Sequence, residues 1–62
     1  LRWADLTGAN LYAADLTNAN LWDADLKFAD FSSATVTGTI WTGSYWHQTE
    51  WTNGVKYDSN QG

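Results

Sequence analysis

A chain of 62 residues with a formal net charge of −4 makes one small domain at most, and its three basic side chains, Arg2, Lys27 and Lys56, are too scattered to neutralise a nucleic-acid backbone. The absence of cysteine excludes disulfides, thiol nucleophiles and zinc–thiolate sites, and no apolar run approaches the roughly 20 residues of a membrane span. Proline is absent too, which suits a continuous ladder of backbone hydrogen bonds.

The chain opens on Leu1-Arg2-Trp3, the last three positions of a five-residue phrase cut through its middle. From this we expect a processed chain or a piece of a longer rod. The complete phrases follow: Ala4-Asp5-Leu6-Thr7-Gly8, Ala9-Asn10-Leu11-Tyr12-Ala13, Ala14-Asp15-Leu16-Thr17-Asn18, Ala19-Asn20-Leu21-Trp22-Asp23, Ala24-Asp25-Leu26-Lys27-Phe28, Ala29-Asp30-Phe31-Ser32-Ser33 and Ala34-Thr35-Val36-Thr37-Gly38. Neither regular secondary structure has this period. An α-helix would turn about 140° between phrases and scatter the leucines, and a strand would alternate them between faces. A corner inside every phrase lets the first and third residues always point inward. The expected core is therefore Ala4, Leu6, Ala9, Leu11, Ala14, Leu16, Ala19, Leu21, Ala24, Leu26, Ala29, Phe31, Ala34 and Val36, stacked as a solenoid.

This Ala-Asp/Asn-Leu-x-x series resembles the pentapeptide-repeat family, strictly to about Gly38 and loosely to Gly54. The resemblance implies an all-β fold, a right-handed quadrilateral parallel β-helix with four phrases per coil, here about three coils. It also implies that residues twenty apart stack, so that Arg2 lies near Trp22 and Trp3 near Asp23.

The second residue of each phrase, Asp5, Asn10, Asp15, Asn20, Asp25 and Asp30, points outward, where its side chain can accept backbone N–H groups at a corner; an acidic binding surface is the other reading. The fifth residue is often one that tolerates positive φ, as at Gly8, Asn18, Gly38, Gly43 and Asn53. Carboxylates one phrase apart should fall on different faces, which argues against a calcium site.

After Val36 the beat continues with other letters. Trp41, Trp46 and Trp51 take the central position, and Thr39, Ser44, Thr49 and Gly54 replace Ala. A one-residue slip would bury Glu50 without a partner. The indoles are expected to fold across the end of the core as an aromatic lid that also shields a sheet edge; a binding face is the alternative. Asn53-Gly54 signals a turn, Val55 to Tyr57 a last short strand or arm, and Asp58 onward a frayed end. We thus place the β-helix at 1–54, with a degenerate Trp-rich coil over 39–54, and a C-terminal tail at 55–62. This tail lacks the helix through which some family members dimerise.

A narrow rod filled by its own side chains offers no pocket for chemistry, and the single histidine, His47, faces outward beside Trp46 with Glu50 three residues on. We expect no catalysis, no metal, no cofactor and no small-molecule substrate. The expected role is a structural or protein-interaction module, with Trp3, Trp22, Tyr12 and Asp23 as binding residues, and with self-association through the N-terminal end as another mode. Two alternatives stand beside it. The resemblance brings in DNA-mimicking proteins that bind DNA gyrase; three coils at about 4.8 Å reach only roughly four base pairs, carrying about eight phosphates. Outward aromatics beside Asp and Asn also suit a sugar-binding platform.

Overall fold

The computed structural model describes residues 2–62, so the truncated phrase at Leu1 lies partly outside the described residues. Parallel bridges join positions twenty apart: Asp5 to Asp25 and on to Tyr45, Asn10 to Asp30 and on to Glu50, Asp15 to Thr35, and Asn20 to Ile40. Two sides of the coil are thus three levels high and the other two are two levels high.

Each phrase turns its corner in the same way. The N–H of the next Ala donates to the Leu carbonyl three residues back, as from Ala9 to Leu6, Ala14 to Leu11, Ala19 to Leu16 and Ala24 to Leu21 at 2.9–3.0 Å. The residue before that Ala sits at φ between +56° and +73°, from Trp3 to Gly43. A β-turn with positive φ at its third position is the type II pattern. Gly and Asn reach that conformation easily, but here Trp3, Ala13, Asp23, Phe28 and Ser33 hold it as well. The stacked coil imposes it on them: the N–H of each of these five residues donates along the rod, as Ala13 does to Ser32 and Phe28 to His47.

The outward Asp and Asn secure these corners. Asp5, Asn10, Asp15, Asn20, Asp25 and Asp30 each accept, through Oδ1, the N–H two residues on, at 2.9–3.2 Å. Their role in the fold is the Asx turn.

Burial follows the expected register. Leu21, Ala24, Leu26, Ala29 and Phe31 are at most 1% exposed, and Leu16 is nearly so, while Leu6, Leu11, Ala14, Ala19, Ala34 and Val36 are partly buried around them. A residue is fully enclosed where a coil lies on both sides of it. The tryptophans form the expected lid on Phe31: ring centroids of Trp41, Trp46 and Trp51 stand 5.3, 6.4 and 6.0 Å from the phenyl ring and 5.1–5.7 Å from one another. By the twenty-residue register Trp41 stacks over Leu21, Trp46 over Leu26 and Trp51 over Phe31, so the three indoles share the third level of the rod, each on a different side. The hydroxyls that replace Ala are all engaged. Thr39 and Thr49 donate to the Leu16 and Leu26 carbonyls at 2.7 Å, and Ser44 donates to the Trp41 carbonyl while accepting the Trp46 indole N–H at 2.7 Å.

The end of the rod carries the expected turn and short strand and differs from expectation only beyond them. The Gly54 N–H donates to the Trp51 carbonyl at 2.9 Å, like the phrase turns below, and strand β1 (Thr49–Glu50) pairs antiparallel with β2 (Lys56–Tyr57), in register Thr49 with Tyr57 and Glu50 with Lys56. The positive φ falls on Gly54 rather than on Asn53, whose Oδ1 accepts the Val55 N–H. The tail is not frayed from Asp58. Its carboxylate accepts the Gln48 N–H at 2.8 Å, Asn60 Nδ2 donates to the Trp41 carbonyl at 2.8 Å, and Gly62 lies on the Trp41 indole. The physical reason is the ladder itself. In the coils below, the equivalent N–H groups of Gly8 and Phe28 donate to Lys27 and His47, and at Gln48 the Asp58 side chain supplies the acceptor that a further coil would bring.

Two glycines show how space and φ combine. Gly8 and Gly43 both hold φ near +70°, but a Cβ at Gly8 meets nothing, whereas at Gly43 it would strike the Asp23 carboxylate. Gly8→Ala should cost about 1 kcal/mol, the left-handed penalty less the entropy gained in the unfolded chain. Gly43→Ala should cost about the same, because the exposed Asp23 carboxylate can swing aside; a much lower urea midpoint for Gly43→Ala would mean that Asp23 is held in place.

Candidate functional site

The corner at 21–24 carries an exposed aromatic group. Arg2 and Trp22 occupy its second position in successive coils and Trp3 its third, with Trp3 N–H donating to the Trp22 carbonyl at 2.9 Å. That bond fixes one ring above the other: the Trp3 and Trp22 centroids are 5.4 Å apart with planes at 76°. The Arg2 guanidinium carbon lies 4.5 Å from the first ring centroid and 5.0 Å from the second. Trp3 is 64% exposed and Trp22 half-buried.

Of the remaining residues expected at this surface, Asp23 shares the corner but its carboxylate lies over Gly43, one coil further on. Tyr12, 63% exposed, stands ten residues from Trp22, which is half a coil and the opposite corner. The structure therefore brings Trp3 and Trp22 together with Arg2, and leaves Tyr12 apart.

The neighbouring corner holds a second aromatic group that the sequence reading did not assemble. Phe28 meets His47 edge-on at 5.3 Å, and Lys27 Nζ lies 5.4 Å from the Tyr45 ring and 3.6 Å from Asp25. The signal for it was the twenty-residue register, which stacks Lys27 under His47 and Asp25 under Tyr45. His47 is exposed, as expected, and its Nδ1 is 3.3 Å from Asp58 Oδ1. Among the described residues there is no cavity and no group of three side chains arranged to hold a metal ion. Among the described residues no helix is long and apolar enough to cross a membrane.

Three carboxylates, Asp5, Asp15 and Asp30, are shifted downward by their corners. The Thr17 hydroxyl, 2.6 Å from Asp15 Oδ1, and then the Thr17 N–H hold the Asp15 pKa below its ordinary value; the Ser32 hydroxyl and N–H do the same for Asp30. A pKa depressed in the folded state contributes stability that is complete above the ordinary value of about 3.9 and is lost as pH falls through the lower folded value. Thr17→Val keeps the N–H and removes the hydroxyl. The Asp15 carboxyl resonance should then titrate at higher pH, with acid unfolding beginning earlier; an unmoved titration curve would contradict the assignment.

Compared with known families, residues 4–43 match the model described as pentapeptide repeats, in 8 copies. No curated protein matches the chain. Among solved structures, the chain is similar to HetL, a pentapeptide repeat protein involved in heterocyst differentiation regulation from the cyanobacterium Nostoc, with 37% identity and a TM-score of 0.85. The likeness covers 87% of this chain and 23% of HetL, so the chain spans less than a quarter of the length of that relative.

Proposed function

Because the chain belongs to the pentapeptide-repeat family and folds as its right-handed quadrilateral β-helix, we propose that it is a non-catalytic protein-interaction module whose binding corner is Trp3, Trp22 and Arg2. The observation that carries this reading is the corner itself. Trp and Arg are among the residue types most enriched at interaction hot spots, and here they converge, Arg2 and Trp3 exposed and Trp22 half-buried, on a backbone locked by ladder bonds. Contact on a rigid surface is what a rod with a filled interior can offer. That HetL is involved in regulation is in keeping with such a role.

The ring geometry favours a protein over a sugar. A saccharide platform presents a flat aromatic face, whereas these planes stand at 76° and Arg2 occupies the angle between them. A photo-crosslinking residue at Thr42, one coil above Trp22, should capture a specific protein in cells of the source organism. The same probe at Ser33, on the opposite corner, should not, and Trp3→Ala should abolish the capture. Equal labelling from both corners, or indifference to Trp3→Ala, would count against this surface.

A further inference from the structure

We propose that the angle between Trp3 and Trp22 is a guanidinium-binding site, filled in the free protein by Arg2 and taken over on association by an arginine of the protein partner. The inference rests on the reading of this corner as an interaction surface and adds to it the chemistry of what enters.

Four observations carry it. The two indoles stand nearly perpendicular at 5.4 Å, which makes two walls of a cage rather than one stacked pair. The centre of that angle is shown to accept a planar cation, since the Arg2 guanidinium carbon is within 5.0 Å of both ring centroids, inside the roughly 6 Å reach of a cation–π contact. Guanidinium is weakly hydrated and stacks flat on aromatic faces, so it enters such an angle at less desolvation cost than an ammonium. Finally, among the described residues no carboxylate lies within ion-pair distance of Arg2. Rings alone hold it, and its long side chain can leave.

The other cation beside a ring differs on this point. Lys27, 5.4 Å from Tyr45, is also paired with Asp25 at 3.6 Å, and only one ring faces it. The Trp3–Trp22 angle is the one built to exchange its occupant. The net charge of −4 attracts a basic partner to the rod, and displacement of Arg2 then gives that partner a fixed point of attachment.

The test uses the full chain and N-acetyl-arginine amide as probe, with the indole N–H resonances of the tryptophans as the readout. In Arg2→Ala the probe should shift the Trp3 and Trp22 signals saturably and leave those of Trp41, Trp46 and Trp51 in place, which also reports that the fold is intact. Binding to Arg2→Ala should be roughly fivefold or more tighter than to the parent, because the tethered competitor is gone. Adding Trp22→Ala to that variant should abolish it. N-acetyl-lysine amide at equal ionic strength should shift these signals little, because its ammonium is the more strongly hydrated. Absence of saturation in Arg2→Ala, an equal response to the lysine probe, or shifts spread over the lid indoles would each overturn the site. Capture of a partner through Thr42 without probe binding would remove the guanidinium site and leave the interaction surface; probe binding with no captured partner would remove the interaction reading alone.

Discussion

Leu16→Asp should unfold this protein at neutral pH. Leu16 is 8% exposed and belongs to the central apolar cluster. Its backbone cannot carry a charge outward, because its carbonyl accepts both the Ala19 N–H and the Thr39 hydroxyl, and its N–H donates to Thr35. No basic side chain enters the core: Lys27 is at the surface with Asp25, and Arg2 and Lys56 are exposed. An unpaired carboxylate there costs several kcal/mol after relaxation, against a total stability of about 3–9 kcal/mol for a domain of 62 residues. The neighbouring substitution makes the control. Asp15→Ser points outward and keeps a hydroxyl that can take over the Thr17 N–H more weakly, so it should cost under about 1 kcal/mol. Far-UV circular dichroism and urea melts of the pair decide the matter; a Leu16→Asp protein that melted like the parent would mean that the inward register is wrong.

That register is the part of the structure most open to reading in the sequence, and the reason is repetition. One phrase is an ambiguous turn, but when Ala and Leu recur at one spacing from Ala4 to Leu26, only a corner per phrase keeps all of them inside. The same argument reaches corner residues that their own chemistry would conceal. Nothing about Phe28 or Ser33 suggests a left-handed backbone; their place in the phrase does, and both hold φ near +60°. The lid was legible for a related reason, since Trp41, Trp46 and Trp51 stay in phase.

At the end of the rod the turn was legible too, since Asn53-Gly54 sends the chain back along Thr49–Glu50 as its residue types suggest. Composition misled only further on, at Asp58-Ser59-Asn60, which look like a solvated end. What orders them is a demand made elsewhere, by the Gln48 N–H and the Trp41 carbonyl, and a requirement of that kind has no local signature. Distance along the chain likewise decided the candidate site. Trp3 and Trp22 are nineteen residues apart, nearly one coil, and meet; Tyr12 is half a coil from Trp22 and does not.

The second large effect should come from Phe31→Ala. The repeat elsewhere accepts Leu at this position, but here the phenyl ring is fully buried and touches all three lid indoles: edge-on to Trp41 and Trp51, and closer to parallel with Trp46 at 26°. Truncation to Ala opens a cavity beneath three large rings whose backbones are fixed by the coil, so collapse into the space is limited. The expected loss is about 3–5 kcal/mol, a third or more of a total stability of about 3–9 kcal/mol. The lid should report the loss before the ladder does. Near-UV circular dichroism from the packed indoles should fall and their fluorescence shift to the red, as Trp41 and Trp46 lose the contact that keeps them 5% exposed. Phe31→Leu separates packing from register: it restores the repeat's own residue, fills most of the volume and should cost about 1 kcal/mol. If Phe31→Ala instead lost less than about 1 kcal/mol with its indole spectrum unchanged, the tryptophans would be holding one another, and the hairpin of β1 and β2 with the folded-back tail would be the true closure of the rod.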